Sequence, residues 1–178
     1  MKNKPAERVI LIGYRGAGKT TVARLAAERL GWSWQDADAY LENKFSTSVR
    51  TIFQEEGEVG FRDKEAAVLT ELLAPARQVL ATGGGVVLRS DNRANLRAAG
   101  FVVWLTASAE TLWRRLEADA ATLRQRPPLT PQGGLTEIRE LLAIREPYYR
   151  ECADLIVDTT DLAANEVVDK IVAIVQTS

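Results

Sequence analysis

Short apolar runs and longer stretches of helical composition alternate along the chain. Val9-Ile10-Leu11-Ile12 is a β-branched run stopped by Gly13, and Thr20 to Leu30 is helical in composition and closed by Gly31, a residue suited to a helix C-terminus. A second strand at Trp32 to Gln35 ends in Asp36-Ala37-Asp38. Mixed helical sequence follows from Tyr40 to Leu73, interrupted near Gly57 and Gly60, with room for two or three helices. Gln78 to Ala81 reads as a strand ending in Thr82-Gly83-Gly84-Gly85, Asp91 to Ala99 as a helix closed by Gly100, and Phe101 to Leu105 as a buried strand. Ala109 to Leu116 is helical behind a Ser108 cap, Asp119 to Gly134 is polar and rich in Arg, Pro and Gly, and Glu137 to Tyr149 is helical again. Leu155-Ile156-Val157 and Leu162 to Val175 supply a last strand and helix. About five strands with helices between them predict an α/β fold whose parallel sheet is covered on both faces. The pattern holds neither an internal repeat nor a linker.

With 178 residues, 46% of them hydrophobic, one domain can bury a full core without metal or disulfide support, so the expectation is a single domain spanning 1–178. The polar segment at about 117–134 is the candidate mobile lid within it. A net charge of -1 from 23 basic and 24 acidic residues gives no broad electrostatic reason to expect nucleic acid or a membrane as partner, so any anion must be bound locally. Histidine is absent, which excludes imidazole acid/base chemistry, a Ser-His-Asp triad and His metal ligation. Cys152 is the single cysteine and cannot form an internal disulfide. The polar stretch Met1 to Glu7 leaves no room for a signal or transit peptide before the apolar run, and the expectation is a cytoplasmic monomer.

Gly13-Tyr14-Arg15-Gly16-Ala17-Gly18-Lys19-Thr20 matches G-x-x-x-x-G-K-[ST] after a strand and at the opening of a helix, the context a phosphate loop requires. Glycines let backbone N–H groups turn inward around phosphate oxygens, and the helix N-terminus adds positive potential. Lys19 then reaches the β/γ-phosphates and the Thr20 hydroxyl can ligate Mg²⁺. The nucleotide set is Gly16, Ala17, Gly18, Lys19, Thr20 and Thr21. An ordinary glycine-rich turn, the competing reading, needs neither the Lys-Thr pair nor three glycines at this spacing.

A GTPase switch is disfavoured because Asn43-Lys44 continues as Phe45-Ser46 and no Asp-x-x-Gly occurs. A motor ATPase would need an apolar strand ending in a metal-associated Asp. Leu155-Ile156-Val157-Asp158 resembles one, but as the last strand it reads better as an edge with Asp158 in the following turn. Asp36 is the better Mg²⁺-side candidate.

Asp36 and Asp38 stand two apart at a strand end, so in extended backbone their carboxylates diverge; one can serve Mg²⁺ through water while the other takes the proton of the hydroxyl being phosphorylated. Helix capping by Asp38 is the alternative. Arg62 alone reads as a surface arginine in Gly60-Phe61-Arg62-Asp63-Lys64-Glu65. Gly83-Gly84-Gly85 at the carboxyl end of a parallel strand suggests backbone approaching a ligand closely, against a merely flexible turn. Arg124 and Arg126 could close over ATP and neutralise charge on the transferred phosphoryl group, and Pro147 could bend a helix that carries Arg145. Trp32, Trp34, Trp104 and Trp113 read as core or strand packing, not as nucleotide-stacking platforms.

Taken in order, the phosphate loop, Asp-x-Asp, Phe-Arg, Gly-Gly-Gly, Arg-Pro and Arg-x-Pro-x-Tyr make the chain from about Val9 to Thr159 resemble the shikimate kinases. The resemblance implies a three-layer P-loop kinase fold related to nucleoside monophosphate kinases, with a five-stranded parallel sheet and a mobile lid. It implies ATP as co-substrate, Mg²⁺ as cofactor, and shikimate 3-phosphate and ADP as products. Carried onto matching positions, Thr20 and Asp36 serve Mg²⁺; Asp38, Arg62, Gly83, Gly84, Gly85 and Arg145 hold shikimate; Lys19, Asp38 and Arg126 are catalytic, Arg126 from the lid. The carboxylate of shikimate suits arginine forks, and its hydroxyls suit an aspartate and backbone groups. The lid departs from the family's usual Arg-Pro-Leu-Leu, reading Arg126-Pro127-Pro128-Leu129 in a stretch that looks longer than usual from Arg115, which leaves Arg124 as a rival. Tyr148 replaces the usual Leu, and Arg115 is the expected adenine-side arginine because none stands around Asp161-Leu162. The competing functions are a gluconate-kinase-like enzyme on the same scaffold and a non-catalytic nucleotide-responsive module.

Overall fold

The computed structural model describes residues 7–119 and 133–177. Its central strand, β1 (Arg8–Ile12), is flanked by β3 (Gln78–Ala81) and β4 (Phe101–Thr106), with β2 (Ser33–Asp36) and β5 (Leu155–Asp158) at the edges. All four pairings are parallel. Val9, Ile10, Leu11 and Ile12 are wholly buried because the sheet is covered on both faces, which is why the strand reads as an unbroken apolar run. Alternation divides these residues between two cores. Val9 and Leu11 join Ala23 and Ala26 of α1 (Lys19–Leu30) and Val168 and Ile171 of the last helix, α7 (Ala164–Thr177). Ile10 and Ile12 join Leu41 of α2 (Ala37–Phe45), Leu69 of α3 (Val49–Leu72), Leu96 of α4 (Ser90–Ala99) and Tyr149 of α6 (Gly134–Cys152). The remaining α-helix among the described residues, α5 (Ala109–Ala118), follows β4 behind the expected cap, with Ser108 Oγ accepting from the Thr111 N–H at 3.2 Å.

From β1 the chain crosses to the edge strand β2, returns to β3 beside β1 and then passes over to β4 and β5, so the loops after β1, β2 and β3 converge on a crevice beyond the strands' carboxyl ends. The helical stretch after β2 forms two helices, and Gly57 (φ 70°, ψ -173°) breaks the regular geometry of α3 where the sequence predicts an interruption. α6 runs on through Pro147 to Cys152. Asp158 is exposed and accepts the Thr160 N–H at 2.9 Å, which makes it a turn residue of an edge strand.

Two expectations are corrected. The cap of α2 is Asp36: Oδ1 accepts the N–H groups of Asp38 (3.0 Å) and Ala39 (3.2 Å), leaving Asp38 inside the first helical turn instead of in extended backbone. Trp104 is core and stacks on Tyr149 at 5.5 Å, and Trp32 and Trp113 pack against the core, but Trp34 is 39% exposed because its edge strand lies largely uncovered. Arg124, Arg126 and most of the 117–134 segment lie outside the described residues.

Candidate active site

β1 delivers the chain into a loop whose Gly13 has φ 137°; a Cβ there would lie 2.2 Å from the Leu105 carbonyl oxygen, so no other residue fits. Gly16 (φ 81°) and Gly18 (φ 91°) also take left-handed conformations, turning the loop back on itself before α1 begins. Lys19 Nζ donates to the carbonyls of Gly13 (2.8 Å) and Tyr14 (2.9 Å), folded across the loop that it would leave for a phosphate. Arg115, on α5, donates to the Thr159 carbonyl (2.6 Å), to Thr159 Oγ1 (3.0 Å) and to the Gly16 carbonyl (3.5 Å), tying the loop after β5 to the phosphate loop. Beside it Thr20 Oγ1 donates to Asp36 Oδ2 at 2.6 Å. These groups border a cleft of about 330 Å³ that includes Gly16, Gly18, Lys19, Thr20, Thr21, Asp36 and Arg115. Ala17 belongs to the loop but turns its side chain into the core.

A second cleft, of about 270 Å³, lies between α3, the glycine turn after β3 and α6; Asp38, Arg62, Gly83, Gly84, Gly85 and Arg145 line it. Arg62 is no surface arginine. Only 9% exposed, it donates to Glu65 Oε2 at 2.7 Å and, more weakly, to Glu58 at 3.4 Å, with its guanidinium over the Phe61 ring. Burial pushes the Glu65 carboxyl up, and the Arg62 guanidinium opposes that shift. Glu65 Oε1 is buried without a hydrogen-bond partner among the described residues. Gly83 and Gly85 leave these side chains the space they occupy. A Cβ at Gly85 would sit 2.3 Å from Arg62 Nη2, and one at Gly83 would sit 2.9 Å from Glu65 Oε1 and 3.0 Å from Asp38 Oδ1. Between them the Gly84 carbonyl accepts from Arg145 (3.3 Å) and from the Tyr149 hydroxyl (2.5 Å), whose pKa burial pushes up to about 12.

The two clefts share one wall, formed by Arg15, Asp38 and Gly84. Sequence reasoning missed four residues here, Arg15 among them because it stands at a variable position of the phosphate loop. Glu65 looked like part of a solvated helix start, Tyr149 entered only as part of a motif, and Glu137, fully buried and paired with Arg15, comes from an amphipathic helix far along the chain. An acidic residue three positions after Arg62 was a signal, but that spacing is equally the pattern of an exposed helical ion pair.

A phosphate loop alone marks a nucleotide binder. A second, basic cleft that meets it at a carboxylate makes this a P-loop kinase with a small hydroxylated acceptor. The shikimate kinase family model matches residues 15–176, and the chain belongs to that family. It is 45% identical over 165 residues to the shikimate kinase of Pseudomonas syringae pv. syringae, covering 93% of this chain and 94% of the relative. The solved structure of Acinetobacter baumannii shikimate kinase in complex with shikimate superposes with a TM-score of 0.90 at 39% identity, covering 97% of this chain and 94% of that one. A Sinorhizobium meliloti gluconokinase, at 17% identity and a TM-score of 0.61 over 97% of this chain and 93% of its own, shares the fold alone.

Proposed function

We propose that this chain transfers the γ-phosphoryl group of ATP to the 3-hydroxyl of shikimate, with Asp38 receiving the hydroxyl proton. The observation that carries the reading is the position of Asp38 on the shared wall of the two clefts, where a hydroxyl in one meets a phosphate in the other. Arg62 and Arg145 would fork onto the shikimate carboxylate, with Glu65 holding Arg62 in place, and the backbone at Gly83, Gly84 and Gly85 would follow the ring. Lys19 would exchange its two loop carbonyls for β/γ-phosphate oxygens, while Gly16, Ala17, Gly18, Thr20 and Thr21 line the nucleotide side. Arg115 would flank the nucleotide, and Arg126, outside the described residues, would neutralise the transferred phosphoryl charge from a lid at about 117–134.

Among the described residues no group of three or more cysteines and carboxylates could hold a metal by itself. The Thr20 hydroxyl and Asp36 carboxylate, 2.6 Å apart, form a two-oxygen donor set of the kind that suits Mg²⁺, an ion that completes its shell with water and phosphate. Held there, it would neutralise charge on the β/γ-phosphates. A single-domain cytoplasmic monomer is part of the same reading, and among the described residues no helix is long and apolar enough to cross a membrane.

The test is ADP formation from ATP and Mg²⁺ with shikimate, gluconate or no acceptor. Shikimate-dependent ADP is expected; gluconate-dependent ADP, or ADP release indifferent to acceptor, would replace this reading with one of its rivals.

A further inference from the structure

Arg15 occupies a variable position of the phosphate-loop pattern, yet it is held like a functional group. Its Nη2 donates to Glu137 Oε1, on the first turn of α6 and 122 positions away. Glu137 is 0% exposed, and a buried carboxylate is tolerated only where cations and donors satisfy it. The arginine side chain is 13% exposed and lies on the wall common to both clefts, with Asp38 and Gly84. Its Nε is buried with no hydrogen-bond partner among the described residues. The Tyr14 ring carries the Arg15 guanidinium at 5.8 Å and that of Arg145 at 5.7 Å from its centroid, so one ring braces both cations.

We propose that Arg15 is a further catalytic residue, donating to the oxygens of the phosphoryl group at the junction of the clefts, and that Glu137 is the positioning residue that aims it. A guanidinium with five N–H donors can keep one on Glu137 and offer others to an anion. The phosphoryl group at the junction is the γ-phosphate of ATP before transfer and the ester phosphate of the product after it. ADP and shikimate bring no phosphoryl group to the junction. The proposal rests on the kinase reading above and adds a donor from within the phosphate loop, independent of the lid.

The experiment is titration of four ligands, ATP, ADP, shikimate and shikimate 3-phosphate, against the full chain and its Arg15→Gln and Glu137→Gln variants, with melting curves on each. Arg15→Gln should weaken ATP and shikimate 3-phosphate roughly tenfold, the scale of one lost charge-assisted hydrogen bond, and leave ADP and shikimate within about twofold. Glu137→Gln should move the same two ligands in the same direction by less. Equal losses for all four ligands, or none for any, would reduce the pair to a structural tie between the loop and α6. If Arg15→Gln fails to fold, Arg15→Lys keeps the charge without the fork, and the same two-against-two split is required of it. Failure of the unsubstituted chain to bind shikimate would instead overturn the choice of shikimate as acceptor.

Discussion

The backbone N–H of Asp38 donates to the side chain of Asp36 at 3.0 Å, so the carboxylate proposed to serve Mg²⁺ also fixes the helical turn that carries the one proposed to take the acceptor's proton. The same Asp36 carboxylate accepts from Thr20 through its other oxygen. The two aspartates, to which different roles are proposed, are thus joined by a hydrogen bond. Asp36→Asn should retain the cap, since Asn caps helices as well as Asp does, and shift activity to higher Mg²⁺ with shikimate affinity nearly intact. Asp38→Asn should keep part of the shikimate affinity while turnover falls roughly 10²-fold, because an amide cannot take the proton. Paired Mg²⁺ and shikimate titrations decide this, and interchanged phenotypes would reverse the assignment.

Removing Arg62 leaves Glu65 buried without its main cation. Arg62→Ala should therefore cost shikimate affinity and, on the scale for one partner of a buried pair, about 3–5 kcal/mol of stability. Arg145→Ala should cost shikimate affinity more than ATP affinity, because Arg145 lines the acceptor cleft and not the nucleotide one, with its hydrogen bond to the Gly84 carbonyl on their shared wall. Calorimetric titration of both ligands with denaturant unfolding separates the two effects; equal losses of ATP and shikimate would count against the carboxylate fork.

Gly85→Ala puts a methyl where the Arg62 guanidinium lies, and its backbone φ of -100° is one that alanine tolerates. The variant should fold and lose shikimate affinity, while nucleotide affinity stays within about twofold, since the displaced group is on the acceptor side alone. Unchanged shikimate binding would show that Arg62 does not hold the substrate.

Lys19→Ala should leave a folded protein with turnover nearly abolished, since Nζ donates to the carbonyls of Gly13 and Tyr14 and borders the phosphate cleft. Circular dichroism beside an ADP assay checks this, and full turnover in a folded variant would remove the phosphate-loop assignment.

Buried acids, Tyr149 and Cys152 among them, should weaken the fold at alkaline pH. Burial pushes the Tyr149 phenol up to about 12 from 10.0 and the Cys152 thiol up to about 11 from 9.0. Both groups keep their protons in the fold after the unfolded chain has lost them, so the folded state binds more protons there and stability falls as pH rises from about 9 toward 12. Denaturant midpoints across that range should decline, and Cys152→Ser should flatten the lower part of the decline. Cys152, 2% exposed, should also react with a thiol reagent far more slowly in the native protein than in denaturant.

The layer order, the strand count and the phosphate loop were all legible in the sequence, because each is written in local pattern. An unbroken apolar run such as Val9 to Ile12 requires burial on both faces, and glycine at positions 13, 16 and 18 answers left-handed or crowded backbone. Asp36, Asp38 and the three glycines after β3 were likewise legible, since strand ends in a parallel sheet meet at one crevice. Tertiary structure alone decided what those residues face. Arg62 and Glu65 form a pair that looks solvated on a helix, and they are buried where Gly83 and Gly85, some twenty positions later, leave space in which side chains would otherwise stand. Arg15 and Glu137 are separated by 122 positions, and nothing in either local sequence reports the other. Burial depends on long-range packing, and burial turns an ordinary ion pair into a constrained one by removing the water that would otherwise screen it.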